Sequence, residues 1–167
     1  MTAIRSALEN AAGYLADHPD EATDLDTPAT AVHVDGLRCR VEGPSGELMT
    51  DMAKSLGGGG SAPSPGWLMR AALASCDATI VAIEAARAGI ELTKLAVTVV
   101  SESDNRGVLG VGDARPGPLS VRVRIELAAS NASEDELHEL VHRAESRSAV
   151  GDAIACEVAV TSEIVTG

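Results

Sequence analysis

The chain has 167 residues, which is enough for one domain with a hydrophobic core. Apolar residues make up 45% of it and aromatic residues only 1%, so the sequence is that of a folded protein with almost no means of stacking on nucleic-acid bases. A formal net charge of −12 repels phosphate backbones and anionic lipids, and therefore disfavours nucleic-acid and membrane partners.

The first 28 residues predict a helix followed by a connector. Apolar side chains recur at helical spacing from Ile4 to Leu15, which predicts an amphipathic helix over residues 3–16. His18-Pro19-Asp20 ends this helix, because the residue before a proline disfavours helical backbone. A polar connector then runs through Asp26-Thr27-Pro28.

Residues 29–52 predict three short strands joined by tight turns. The strands are expected over residues 29–34, 37–42 and 47–52. Asp35-Gly36 and Gly43-Pro44-Ser45-Gly46 are typical turn sequences between them.

A glycine-rich loop precedes the longest predicted helix. After residues 57–60, which are all glycine, Ser64 stands in an N-cap position and Pro65 in the first helical position. The helix is expected to run to Arg87 and to stop at Gly89. Its middle is apolar on all sides, which is typical of a fully buried helix.

The remainder predicts two strands, a helix and a closing strand. Strands are expected over residues 92–101 and 119–129, with a loop between them. Ser133-Glu134-Asp135-Glu136 has the form of a capping box and opens an amphipathic helix. A final strand is predicted over residues 156–165.

The cellular location is predicted to be the cytoplasm. Residues 1–17 contain acidic side chains and lack a long apolar centre, so they do not have the pattern of a signal peptide. No apolar run approaches the roughly 20 residues that cross a bilayer. Three cysteines without a paired framework are typical of a reducing compartment.

Two short motifs have weak functional interpretations. Residues 57–60 lack the Gly-Lys-Ser/Thr that follows in a phosphate loop, so a flexible turn is favoured. His138-Glu139-Leu140-Val141-His142 has the zinc-protease pattern, and its spacing puts both histidines on one helix face. The extension with a third histidine is missing, and Glu163 fits only on spacing. We favour a solvated helix edge and no metal, with a zinc hydrolase as a minor alternative.

The three cysteines are the remaining chemical candidates. Cys39 lies on the apolar face of a predicted strand and Cys156 opens the closing strand, so packing is the expected role of both. Cys76 lies in the third turn of the long helix, among Ala72, Leu73 and Ile80. Apolar burial makes a thiol inert, so the residues alone favour a structural role unless another element supplies a cation.

Several segments carry a family resemblance that changes this interpretation. They are Gly57-Gly58-Gly59-Gly60-Ser61-Ala62-Pro63-Ser64-Pro65, Ala71-Ala72-Leu73-Ala74-Ser75-Cys76, Ala88-Gly89-Ile90 and Ser148-Ala149-Val150-Gly151-Asp152-Ala153. In order and spacing they resemble the OsmC/Ohr superfamily over about residues 29–165. We therefore divide the chain into an N-terminal helix and connector, residues 1–28, and an OsmC-like domain, residues 29–167.

The resemblance implies an α+β fold in which antiparallel sheets pack on two long central helices of an intertwined homodimer. Active members are thiol peroxidases that reduce organic hydroperoxides. A peroxidatic cysteine becomes a sulfenic acid, and a second cysteine then closes a disulfide that a thiol reductant reopens. The resemblance implies no cofactor.

Carried over by position, Cys76 matches the peroxidatic cysteine. The resolving cysteine of the family falls at Ser148, and the glutamate that follows the helix-opening proline falls at Gly66, so both groups are missing here. Arg38 is the nearest candidate for the family's assisting arginine, with Arg40 as a fallback.

Two functions therefore stay open. The first is a hydroperoxide reductase that uses Cys76 as a single reacting thiol, Arg38 as thiolate stabiliser and an external thiol as reductant. The second is a non-catalytic OsmC-fold protein that holds a small apolar or thiol ligand in a cleft lined by Met69, Leu73 and other aliphatic side chains.

Overall fold

The computed structural model describes residues 2–167, which form an α+β fold with antiparallel sheets, as predicted. The chain divides after Ala71 into two compact units, and one long helix runs through the division. The helices are α1 (Thr2–Asp17), α2 (Pro65–Ala88), α3 (Asn105–Leu109), α4 (Glu134–Glu145) and α5 (Ala149–Ala155). The strands are β1 (Thr30–Asp35), β2 (Arg38–Gly43), β3 (Gly46–Thr50), β4 (Leu92–Ser103) and β5 (Pro118–Ala129).

The N-terminal unit contains α1 and a three-stranded antiparallel sheet in the order β1-β2-β3. The hairpin turn after Asp35 uses Gly36 at φ 52°, a backbone conformation that glycine adopts without strain. Tyr14 stacks on His18 at the end of α1, with the ring centroids 4.3 Å apart. The first helix and the three strands are confirmed within one or two residues of their predicted bounds.

The C-terminal unit is built on the long β4–β5 pair. Its core is a cluster of buried aliphatic side chains from α2, from α4 and from the turn that follows α2: Val81, Ala85, Ile90, Leu140 and Ala144. The capping box of α4 is present, since Ser133 accepts from Glu136 N and the Glu136 side chain accepts from Ser133 N. Residues 102–118, predicted as loop, contain the short helix α3, which Asp104 caps through Arg106 N.

Two expectations about apolar segments were wrong. No strand forms over residues 156–165, because a strand needs a backbone partner and this segment has none within the described chain. The long helix α2 is not buried on all sides, since its buried residues are confined to Leu73, Asp77, Val81 and residues 84–86.

The expectation that no apolar stretch reaches membrane-spanning length also needs correction. Among the described residues α2 alone is long and apolar enough to cross a bilayer, by length and composition only. The core helices of soluble proteins pass the same test, so this indication is weak.

Candidate functional site

The approach to α2 is organised around the buried carboxylate of Asp51. Its oxygens accept hydrogen bonds from Met52 N at 2.7 Å, Gly59 N at 3.2 Å, Ser61 N at 2.9 Å and Ser61 Oγ at 2.8 Å. These bonds, led by those from Ser61, lower the pKa of Asp51 from 3.8 to about 2. The loop before α2 is therefore held by a charged group within the N-terminal unit.

This geometry explains the run of glycines. A Cβ on Gly58 would lie 2.0 Å from the backbone oxygen of Met52, and one on Gly59 would lie 2.9 Å from the Asp51 carboxylate. The loop must approach residues 51 and 52 too closely for any side chain at either position. Gly58 and Gly59 therefore serve close packing.

Cys76 is half-buried on α2 and has two polar neighbours that are almost fully buried. Its Sγ lies 3.6 Å from the Oγ of Ser148. The Ser148 hydroxyl donates to Oδ1 of Asp77 at 2.6 Å, and Asp77 directly follows Cys76 in the chain. The residue at the family's resolving-cysteine position therefore lies beside Cys76, although it carries a hydroxyl instead of a thiol.

Ser148 is held in place as the N-cap of α5. Its Oγ accepts from Gly151 N at 3.0 Å. A Cβ on Gly151 would lie 2.9 Å from that same Oγ, so only glycine leaves room for the Ser148 side chain. The cap and the glycine together fix the Ser148 hydroxyl between Gly151, Asp77 and Cys76.

A second buried carboxylate anchors the same segment to α2. Glu84 lies two turns after Asp77, on the same face of the helix. It pairs with Arg87 at 2.9 Å, with Arg143 at 3.8 Å and with Arg147, the residue before Ser148. The segment between α4 and α5 is thus attached to α2 through both Arg147 and Ser148.

Sequence reasoning missed this polar face. Asp77 and Glu84 are the two acidic residues of α2, and their seven-residue separation places them on one side. That spacing was a detectable signal, but the sequence does not show which residues meet these carboxylates.

An open groove of about 420 Å³ lies next to this cluster. Asp77 and Ser148 form part of its lining, and its apolar walls come from Leu73, Val121 and Val123 of the same unit. Glu145 and Asp152 add acidic groups, so a neutral or cationic molecule suits the groove better than an anion.

Cys39 and the two candidate arginines lie on β2, in the N-terminal unit. Cys39 lies half-buried on β2. Arg38, also on β2, faces Asp35 at 3.7 Å, while Arg40 pairs with Glu42 at 2.8 Å and Glu47 at 3.6 Å. Both arginines are described only within the N-terminal unit, so the assignment of Arg38 to Cys76 stays a prediction.

Cys156 ends α5 and is exposed. Its Sγ lies 3.5 Å from Asp152 Oδ1, and this hydrogen bond and charge raise the pKa of the Cys156 thiol above its usual value. A raised pKa disfavours the thiolate, so Cys156 is a poor nucleophile at neutral pH.

The histidines of the zinc-protease pattern point to solvent. His138 is 74% exposed and lies 3.8 Å from Glu134, and His142 is 82% exposed and lies 3.5 Å from Glu145. Within residues 2–167 no group of three potential ligands comes together to hold a metal ion. The geometry therefore favours the solvated helix edge.

Comparison with protein-family models gives one match. The model described as OsmC-like protein covers residues 58–163, which is more than half of the chain and includes Cys76, Asp77 and Ser148. The comparison with curated proteins gives no significant match.

Solved structures of the same fold resemble the chain at low sequence identity. An OsmC-like protein from Mycoplasma pneumoniae has a TM-score of 0.67 at 18% identity, over 80% of this chain and 89% of that one. The organic hydroperoxide resistance protein OsmC from Legionella pneumophila has a TM-score of 0.58 at 23% identity, over 79% of this chain and 90% of that one. An OsmC-like protein of unknown function from Vibrio cholerae has a TM-score of 0.64 at 14% identity, over 85% of this chain and 100% of that one.

Proposed function

The chain belongs to the OsmC-like protein family, and from this membership we propose that it reduces organic hydroperoxides with Cys76 as the single reacting thiol. The observation that carries the proposal is the placement of Cys76 beside Ser148 and Asp77, two residues that line an open groove with apolar walls. Structural neighbours named organic hydroperoxide resistance proteins support the same reaction class.

The reaction consists of one oxygen transfer. The Cys76 thiolate attacks the outer oxygen of the hydroperoxide, the O–O bond breaks, and the alkoxide takes up a proton and leaves as an alcohol. Cys76 is oxidised to a sulfenic acid, and the hydroperoxide is reduced by two electrons.

Regeneration requires an external thiol, because Ser148 stands where a resolving thiol would be needed. The first thiol attacks the Cys76 sulfenic sulfur, releases water and leaves a mixed disulfide. A second thiol attacks that mixed disulfide. Cys76 is released as a thiol, and the two external thiols leave joined by a disulfide bond. Arg38 is the proposed thiolate stabiliser, and its partner Asp35 at 3.7 Å leaves the guanidinium weakly held.

We further propose that the protein acts as a cytoplasmic homodimer. The C-terminal segment carries Val158, Val160 and Ile164 at 60%, 87% and 87% exposure, and α2 has exposed positions along its length although it is apolar. Exposed apolar segments of this kind are stable in water when a second copy covers them.

A non-catalytic binding protein is the second candidate. It is favoured by the Asp77 carboxylate next to Cys76, since an anion opposes formation of a thiolate unless it accepts the thiol proton itself. In that case the groove would hold a small neutral apolar ligand without turnover.

The test compares wild type with Cys76→Ser in consumption of cumene hydroperoxide, with dithiothreitol as reductant. We expect turnover in wild type and loss of at least about 100-fold in the variant, because the nucleophile is removed. Equal, slow consumption by both proteins contradicts the reductase. A retained ligand in native mass spectrometry of the purified protein, without turnover, supports the binding function instead.

A gain of function tests the role of position 148. In a Cys39→Ser/Cys156→Ser background, Ser148→Cys places a thiol where the oxygen now lies 3.6 Å from Cys76 Sγ. We expect hydroperoxide to convert the two thiols into a disulfide found by non-reducing peptide mapping. The matched control adds Cys76→Ser, which must abolish the disulfide.

A further inference from the structure

We propose that Asp77 is the base that receives the thiol proton of Cys76, and that the Ser148 hydroxyl carries the proton between them. This inference takes Cys76 as the reacting thiol and so rests on the proposed function. It gives Asp77 and Ser148 roles that the family resemblance does not supply.

The hydrogen-bond geometry at Ser148 has the direction that such a transfer needs. A serine hydroxyl has one proton to donate and two lone pairs that accept. Ser148 Oγ lies 2.6 Å from Asp77 Oδ1, so the hydroxyl proton points to the Asp77 carboxylate. One lone pair accepts from Gly151 N at 3.0 Å. The hydroxyl also lies within donating distance of Cys76 Sγ, at 3.6 Å, but it has a single proton and the Asp77 oxygen is the nearer acceptor. With that proton on the Asp77 side, a hydrogen bond between Ser148 and Cys76 uses the thiol proton and the remaining lone pair.

The contact between Asp77 and Ser148 is buried. Asp77 is 7% exposed and Ser148 4% exposed, so water does not replace the contact between them. Glu84, on the same face of α2, is paired with three guanidiniums, whereas the described partner of the Asp77 carboxylate is a neutral hydroxyl. The Ser148 hydroxyl is therefore the described group through which a proton can pass between Cys76 and the Asp77 carboxylate.

Among residues 2–167, the hydrogen bonds of the Ser148 hydroxyl are those with Cys76, Asp77 and Gly151. Glu145 and Asp152 line the same groove from α4 and α5, and β5 contributes the uncharged Val121 and Val123. Arg147 precedes Ser148, but it is engaged with Glu84. Asp77 is therefore the carboxylate that shares a hydroxyl with Cys76.

The proton and electron balance closes without an added reagent. The thiol proton moves to Ser148 Oγ while the Ser148 proton moves to Asp77 Oδ1, which leaves a thiolate and a neutral carboxylic acid. The thiolate attacks the outer peroxide oxygen, and the departing alkoxide takes the proton from Asp77. The products are the Cys76 sulfenic acid, an alcohol and the original Asp77 carboxylate.

The test follows the alkylation rate of Cys76 by iodoacetamide from pH 5 to pH 9, in a Cys39→Ser/Cys156→Ser background. A simple thiol loses about tenfold in rate per pH unit below its pKa, because the thiolate fraction falls. With the transfer, thiolate plus neutral acid contains as many protons as thiol plus carboxylate. The fraction of that thiolate does not change with pH as long as the pair holds a single proton, so we expect a pH range in which the rate levels off instead of falling tenfold per pH unit.

Four variants separate the transfer from simple electrostatics. Asp77→Asn and Ser148→Ala should each remove the plateau. At pH 5.5 each variant should be alkylated at least about tenfold more slowly than the parent protein, because it has lost the base or the group that connects Cys76 to it. Ser148→Thr keeps the hydroxyl and should keep the plateau. Asp152→Asn removes another acid of the groove and should keep it as well. Thermal melts of each variant show that it is folded.

The opposite result overturns the proposal. If Asp77 acts only as a repelling charge, Asp77→Asn raises the alkylation rate at every pH, and no plateau exists in the wild type. Hydroperoxide turnover is measured on the same proteins. A plateau without turnover contradicts the proposed function and supports the proton transfer, whereas turnover without a plateau contradicts the transfer alone.

Discussion

The two units of this protein are stabilised in different ways. Between residue 3 and Ala71 no hydrophobic side chain is fully buried, and the buried residues are Thr50 and Asp51. From Ala72 onward an aliphatic cluster forms the core, and two buried carboxylates on α2 hold the segment that contains Ser148. The N-terminal unit depends on strand pairing and one charged centre, whereas the C-terminal unit combines an aliphatic core with a polar site.

This difference shows where a reacting group can be placed with precision. A side chain stays in position when both it and its support are packed, and in the C-terminal unit α2 is fixed by Val81 and Ala85 on the face that also presents Asp77. In the N-terminal unit, the corresponding precision is limited to the hydrogen bonds around Asp51.

The largest expected effect is loss of the aliphatic core. Leu140 is 0% exposed, so Leu140→Ala should lower the free energy of unfolding by about 2–5 kcal/mol through lost burial and a cavity. Leu48→Ala, at a side chain 43% exposed in the N-terminal unit, should cost less than about 1 kcal/mol. Urea denaturation followed by circular dichroism measures both. Equal losses would contradict the contrast between the units.

The second effect concerns Glu84. Glu84→Gln removes the charge that holds Arg87, Arg143 and Arg147, whose own side chains are 39–50% exposed and can turn to water. We expect a loss of about 1–3 kcal/mol, the usual range for hydrogen bonds to a charged group. Glu139→Gln, which removes an exposed partner of Arg143, is the control and should be nearly neutral.

The third effect is the pH dependence of the N-terminal unit. The folded-state pKa of Asp51 is about 2, below its ordinary 3.8, so its contribution to stability is complete above pH 4 and is lost as the pH falls toward 2. Asp51→Asn should melt at a lower temperature at pH 7 and should show a weaker decline between pH 4 and pH 2. Thermal melts across this range test the claim, and parallel curves for both proteins would refute it.

The smallest effect compares two helix caps. Ser133 closes a reciprocal capping box on α4, while Ser64 Oγ accepts from Trp67 N at 3.2 Å at the start of α2. Each serine-to-alanine change should cost about 0.5–2 kcal/mol, with Ser133→Ala the larger because Glu136 also loses its partner. If Ser64→Ala proved the more costly, the start of α2 would depend on its cap more than on the Asp51 loop.

Local signals predicted most of the elements. Ser64 and Pro65 marked the start of α2 and Gly89 its end, and the observed helix is Pro65–Ala88. The closing strand was wrong because alternating apolar residues show that a segment can pair, but not that it has a partner. The buried α2 was wrong for a related reason, since composition does not show which neighbours cover a helix.

The sequence by itself determined the helices α1, α2 and α4, the strands β1–β5 and the position of Cys76 within its family motif, because caps, turns and periodicity act between residues close in the chain. Only the tertiary structure decided the environment of Cys76. Ser148 follows Asp77 by 71 positions, and no local pattern joins residues so far apart. They meet because the segment between α4 and α5 is attached to α2 by the Arg147–Glu84 ion pair and the Ser148–Asp77 hydrogen bond, and this attachment gives Cys76 a hydroxyl and a carboxylate as neighbours.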